Sequence, residues 1–235
     1  MLDPLALRAR LSGVRDRIAR AASRVRREPS SVRLVAVSKT FPVDDIRAVC
    51  QAGQVDFAEN KVQEALPKIS ATSALGLHWH LIGHLQSNKV RKAVSSFTTI
   101  QSIDDSFLLQ KVDEAAAAAG RTVEILVQID LANEPTKHGA RPEELASILT
   151  VAATCRAARM KGLMLLPPAF RDPEQARPYF VALRTLRDDL VAGGADRAVL
   201  SELSMGMSHD FEIAVEEGAT MVRIGSAIFG ERDRP

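Results

Sequence analysis

Short apolar runs alternate along the chain with longer stretches in which apolar positions return at helical spacing. Runs near 34–39, 56–59, 79–83, 98–103, 123–130, 161–166, 199–205 and 221–225 read as strands. Segments near 43–52, 60–70, 86–95, 105–119, 141–158, 173–192 and 208–217 read as the helices between them. The clearest strand is VEILVQID at 123–130, with turn chemistry at Gly120 before it and Asn133-Glu134-Pro135 after it. Ahead of the first strand, Asp3-Pro4 offers an N-cap and a proline at the first helical position. Leu7, Leu11, Val14, Ile18 and Val25 then line one helical face. This order predicts an α/β fold, a single (β/α)8 TIM-type barrel with an extra N-terminal helix, as one domain over 1–235. An open, doubly wound sheet is the alternative, because periodicity does not show closure. The alanine run Ala115–Ala119 is a strong helix former and is expected to pack closely.

Composition narrows the classes. The chain has 235 residues, 46% hydrophobic and 26% charged, as in ordinary globular domains. With 31 basic against 29 acidic side chains, it is too near balance to coat nucleic acid. Aromatics at 4% leave few platforms for stacking bases. No apolar run approaches the roughly 18 residues of a membrane span, and no apolar signal core with a cleavage site opens the sequence. Cys50 and Cys155 stand alone, which fits a reducing, cytoplasmic setting and a role as small core residues. Eight arginines crowd the first 27 residues. Beside the apolar face they read as the wet side of an outer helix, although a transit peptide or a basic membrane-surface helix carries similar runs. Asp44-Asp45 and Glu216-Glu217 read as solvated helix faces.

A barrel puts its working groups at the C-terminal ends of its strands. Lys39 stands there, in VAVSKTFP at 35–42, as the one charge at the mouth of an apolar run. Its ammonium either marks where the strand meets water or serves as a reactive amine. Glu59-Asn60, His84, Asp104, Lys137, Ser208 and Gly225-Ser226 occupy the same kind of position. The loops after strands seven and eight are a barrel's habitual phosphate site, built from free N–H groups and hydroxyls. Ser208, expected as the N-cap of a helix beginning near Phe211, and Gly225-Ser226 fall in those loops, and would equally serve a turn without a ligand. Arg223 alternates with Met221 and Gly225, so the three share a face; turned inward, the guanidinium needs partners, an internal ion pair being the plain explanation. His78 and His80 form an HxH pair that elsewhere ligates metals, yet no supporting ligand pattern accompanies it. No metal site is expected, and His80 is expected to hydrogen-bond at the pocket rim. There is no GxGxxG, GxxxxGK[ST] or GxSxG.

Several ordered blocks carry a family resemblance. They include LVAVSKTFP at 34–42, FAENKVQEALPK at 57–68, WHLIGHLQSNK at 79–89 and QSIDD at 101–105. KHG at 137–139, KGLM at 161–164, LSMGMSHDFE at 203–212 and MVRIGSAIFGER at 221–232 complete the series. Together they resemble the YggS/PROSC family of pyridoxal phosphate homeostasis proteins along almost the whole chain. The resemblance implies the barrel of fold-type III pyridoxal enzymes and pyridoxal 5′-phosphate (PLP) as cofactor. It implies that Lys39 carries PLP as a lysine aldimine, that Ser208, Gly225 and Ser226 hold the phosphate, that Arg223 lies against the pyridine nitrogen, and that Asn60 lines the ring pocket. It further implies buffering of PLP and its delivery to apo PLP-dependent enzymes, without robust turnover. A monomer or weak homodimer is expected, the helix faces of a barrel being able to pack as a dimer without a signature. Ala58 and Ser226 depart from the glycine and threonine of many relatives.

Imine chemistry needs an unprotonated amine, and a free lysine titrates near ~10.4, so burial and the charge of Arg223 are expected to lower Lys39. An obligate donor beside the ring nitrogen keeps that nitrogen unprotonated and the ring a poor electron sink. A PLP-dependent amino-acid racemase of the alanine racemase type is the alternative function. Those racemases bring a tyrosine from a second domain, whereas Tyr179, the one tyrosine here, falls on a predicted helix. Lys137 offers a second amine that would receive PLP on its way out.

Overall fold

The computed structural model describes residues 2–132 and 138–231. Helix α1 (Pro4–Arg24) starts where Asp3 accepts the N–H groups of Leu5 and Ala6. It stops at Arg26, which turns left-handed at φ +57°, while the Arg27 N–H closes back on the Ala22 carbonyl at 2.9 Å. Val25 lies beyond the last helical residue and is exposed rather than on the inner face.

Eight parallel strands follow: β1 (Arg33–Val37), β2 (Asp56–Glu59), β3 (His78–Leu81), β4 (Thr99–Ile103), β5 (Val123–Ile129), β6 (Ala158–Leu165), β7 (Glu202–Ser204) and β8 (Met221–Ile224). They pair in chain order, and β1 closes on β8 with Val35 opposite Arg223, so the sheet is a barrel and not an open one. The helices between them are α2 (Val43–Gln51), α3 (Val62–Ala71), α4 (Val90–Ser96), α5 (Ser106–Ala118), α6 (Leu145–Ala152), α7 (Arg177–Ala192) and α8 (Phe211–Glu216), with a last short turn, α9 (Ser226–Phe229).

The helix expected over 141–158 ends at Ala152. Asp113 explains the difference: its Oδ1 accepts the N–H groups of Arg156, Ala157 and Ala158 at 2.9, 2.7 and 2.8 Å, drawing that segment out as the entry to β6. In the alanine run only Ala116 is buried, so close packing of the whole run does not occur.

The large core lies between the strands and the helices, where β-branched and leucine side chains from both layers meet. Inside the barrel the apolar cluster is small, made of Val35, Val37, Ala58 and Met221 with Ile82 against it. Buried polar side chains, among them His80, Gln101, Ser204 and Arg223, fill much of the rest.

Four of the eight N-terminal arginines bond to other elements, Arg15 donating to the Ala52 and Gly53 carbonyls at 3.1 and 2.9 Å. Arg17 pairs with Glu212 at 3.0 Å and Arg24 with Glu216 at 2.7 Å, while Arg27 donates to the carbonyls of Val215 and Ala219 at 2.6 and 2.8 Å. Glu216 and Glu217 are likewise not solvated, since Arg177 reaches both and Arg184 reaches Glu217. Asp45 is buried, its Oδ1 accepting the Leu2 N–H at 2.8 Å. Cys50 and Cys155 are half-buried against the core, and burial pushes the Cys155 thiol up to about 11, which leaves it an inert thiol. Among the described residues, no helix is long and apolar enough to cross a membrane.

Candidate functional site at the C-terminal mouth of the barrel

Lys39 is not the last residue of β1 but the second of a tight turn. The Phe41 N–H bonds the Ser38 carbonyl at 3.1 Å, and Thr40 sits at φ +72°. That is a type II turn with threonine in the place normally kept for glycine. Three contacts hold it. Ser38 is buried, and its Oγ donates to Glu59 Oε1 at 2.7 Å. Lys68 Nζ donates to the Ser38 carbonyl at 2.9 Å. Phe41 stacks on Phe229 with ring centroids 4.8 Å apart, so the turn is tied to α9. Lys39 itself is half-buried.

Ser208, Gly225 and Ser226 come together beside that turn. Ser208 is not the N-cap of α8, a position taken by Asp210. Its Oγ instead accepts the N–H groups of Gly225 and Ala227, each at 3.2 Å, at the start of α9. Asp210 is buried and accepts the Met207 N–H at 2.6 Å, which folds the loop 207–210 back on itself. Burial raises the Asp210 carboxyl, opposed by the Met207 hydrogen bond and the charges of Arg223 and His209. Gly206 makes the loop possible: at φ +93° its missing Cβ would lie 2.5 Å from Ala214 Cβ. Gly225 differs, because a Cβ there meets only Val37, at 3.5 Å or more. Packing does not require that glycine, and the space it leaves faces the end of β1.

Arg223 points into the lumen and is buried. Its Nη1 donates to Ser204 Oγ at 2.7 Å and its Nη2 to the Leu165 carbonyl at 2.8 Å. These neutral acceptors replace the internal ion pair. Burial pulls the guanidinium down to about 10, against the pull of Asp210, so it remains a charged donor at neutral pH. Asn60 follows β2 directly and is half-buried. A Cβ on Gly83 would lie 2.2 Å from the Asn60 carbonyl oxygen, so the two backbones touch and Asn60 is fixed from the next strand. The mouth therefore holds a lysine on a strained turn, a hydroxyl that gathers the Gly225 and Ala227 N–H groups, and a cation reached from below.

Residues 10–233 match the alanine racemase N-terminal domain family. The pyridoxal phosphate homeostasis protein of Aquifex aeolicus is 41% identical over 223 residues, covering 95% of this chain and 97% of the relative. The chain belongs to the pyridoxal phosphate homeostasis protein family. PipY from Synechococcus elongatus PCC7942, solved with PLP bound, superposes with a TM-score of 0.81 at 39% identity, over 91% of this chain and all of that one. An alanine racemase of Clostridium difficile 630 shares the fold, with a TM-score of 0.70 at 17% identity; this chain spans 57% of its length.

Sequence reasoning about this homeostasis-family barrel missed one element of the mouth. Lys68 reaches from α3 to Glu59 Oε1 at 2.7 Å as well as to Ser38. A signal was present, since Lys68 continues the stripe of buried Val62 and Ala65 at three-residue spacing.

The histidines divide differently from expectation. HxH opens β3, at the N-terminal floor, and His80 is buried in the lumen rather than at the rim. Both His78 and His80 face Asp56 Oδ1, at 3.4 and 3.2 Å. At the mouth, His84 Nδ1 meets Asp104 Oδ2 at 3.2 Å, and His138 stacks on His84 at 3.7 Å between centroids and 11° between planes. These three side chains bring ligating atoms within 4.8 Å of one another. Near-parallel rings direct their lone pairs along separate planes, so the two imidazoles do not converge on one ion in this arrangement. Burial raises the Asp104 carboxyl, with Asp105 adding to it and His84 opposing. Lys137, the second candidate amine, lies outside the described residues.

Proposed function

We propose that this chain binds pyridoxal 5′-phosphate at the barrel mouth through Lys39 and serves intracellular PLP homeostasis by buffering the cofactor and releasing it to apo PLP-dependent enzymes. The observation that carries the reading is the convergence of Ser208 Oγ on the Gly225 and Ala227 N–H groups, beside a glycine that packing does not require. The donor set fits the cofactor. Hydroxyls and backbone N–H groups at a helix start suit a phosphate dianion. Arg223 can only donate, which suits an aromatic ring nitrogen that accepts. PLP-bound PipY and the homeostasis proteins among the relatives support the same reading.

When bound, the cofactor supplies an aldehyde that an amine captures reversibly. The chain does the rest. The turn at 38–41 presents the Lys39 amine, Ser208 and Ser226 offer hydroxyls to the phosphate, Asn60 borders the ring, and Arg223 holds the ring nitrogen as an acceptor. That last role keeps a proton off the ring and weakens it as an electron sink. Holding thus outweighs turnover. The racemase reading stays as a second possibility because the matching domain family is that of alanine racemases.

Adding PLP to the purified protein should give a visible absorption band, and borohydride should fix the label on Lys39 by mass spectrometry. Lys39→Ala should stay colourless. A label that persists elsewhere in that variant, at the wild-type level, defeats the assignment.

A further inference from the structure

A single file of hydrogen bonds crosses the lumen below the cofactor-binding residues. Arg223 Nη1 donates to Ser204 Oγ at 2.7 Å, and Ser204 Oγ donates to Gln101 Oε1 at 2.7 Å. Gln101 Nε2 faces His80 Nδ1 at 3.1 Å, and His80 Nε2 faces Asp56 Oδ1 at 3.2 Å. Arg223, Ser204, Gln101 and His80 are each no more than 2% exposed. They come from β8, β7, β4 and β3, and Asp56 opens β2 at the barrel floor. There a cavity of about 500 Å³ is lined by Arg33, Asp56, His78 and His80, among others.

The direction of this file follows from which groups can donate. A guanidinium has no acceptor, so Ser204 accepts from it and spends its one proton on Gln101 Oε1. The Gln101 amide nitrogen must then face His80. Met221 Sδ, an acceptor 3.0 Å from that nitrogen, independently favours the same amide orientation. His80 Nδ1 therefore accepts, its proton sits on Nε2, and Nε2–H donates to Asp56. Flipping the amide would put a proton on Nδ1 and, for a neutral ring, leave two acceptors facing each other at Asp56. The carboxylate end is stable: burial raises Asp56, but the hydrogen bond from His80, with the Arg33 charge nearby, holds it below the usual range. The file thus has one polarity, from a fixed cation to a carboxylate.

We propose that His80 is a positioning residue, acting through Gln101 and Ser204 to set the orientation of the Arg223 guanidinium and hence the donor presented to the cofactor ring. The effect on the cofactor rests on the PLP reading; the proton arrangement does not. Cofactor-free protein labelled with nitrogen-15 should show His80 as the neutral Nε2–H tautomer in two-bond proton–nitrogen spectra. The Nδ1–H tautomer overturns the proposal. With PLP added, His80→Leu should weaken affinity about tenfold, the scale of one lost hydrogen bond, and move the visible maximum. His80→Gln keeps one acceptor and one donor and should restore most of both. An unaltered maximum and affinity in folded His80→Leu also overturns it. Should His80→Leu not fold, Gln101→Leu cuts the same file and is read the same way. If wild-type protein takes up no PLP, the reading of the mouth fails, while the tautomer still decides the file.

Discussion

Glu59 Oε2 is the one buried side-chain oxygen among the described residues without a hydrogen-bond partner. Its other oxygen accepts from both Ser38 and Lys68, so a single ammonium offsets a fully buried carboxylate under the Lys39 turn. Removing one member of such a pair costs more than never having built it. Lys68→Met should lower unfolding stability by about 3–5 kcal/mol, measured by denaturant titration. Adding Glu59→Gln to that variant should recover much of the loss; no recovery would show that the charge is not the cause. The placement of Lys39, Asn60 and Ser208 after strands was legible in the sequence, because it follows from the order of strands and loops. Lys68 left only the weak signal of its place on the buried stripe of α3, because a lysine on an amphipathic helix reads as solvated until its reach back to Glu59 and Ser38 is known.

At the scale of elements, α1 is clipped to α8 by its arginines, and α7 joins through Arg177, which contacts Glu174, Glu216 and Glu217. Exposed pairs of this kind contribute little one by one, while a shared network of half-buried carboxylates contributes more. Burial raises Glu216, but its hydrogen bonds to Arg177 and Arg24 outweigh that and lower it overall. A carboxylate lowered in the folded state stabilises above its unfolded value, near ~4.3, and loses that contribution as pH falls through the folded one. Melting temperature should therefore drop between about pH 5 and pH 3, and Glu216→Gln should flatten the drop. An equal slope in both proteins counts against the clip. The sequence showed α1 as a helix with one apolar face. It did not show which arginines bend round to α8, since a guanidinium on a flexible stem reaches well beyond its own turn.

For the whole molecule, closure decides where everything lies. The count and spacing of strands made the barrel legible, and the rule that loops follow strand ends located the mouth. The polar file in the lumen was not legible, because it joins residues from five strands and strand alternation alone does not say which face turns inward. Tyr179 packs against Phe170 at 5.8 Å between ring centroids and against the outer core, away from the lumen. With a charged donor assigned to the ring nitrogen, proton exchange at the α-carbon of alanine in deuterated water should be slow. Stereoinversion at enzymic rates would instead establish the racemase reading. The ring stack between Phe41 and Phe229 has a consequence at this scale. It works as a latch between two distant stretches of chain, the turn that carries Lys39 and the short turn that follows β8. Under the proposed function, fraying of residues 226–229 would slacken both at once, and a cofactor held there would come away as a unit rather than finger by finger.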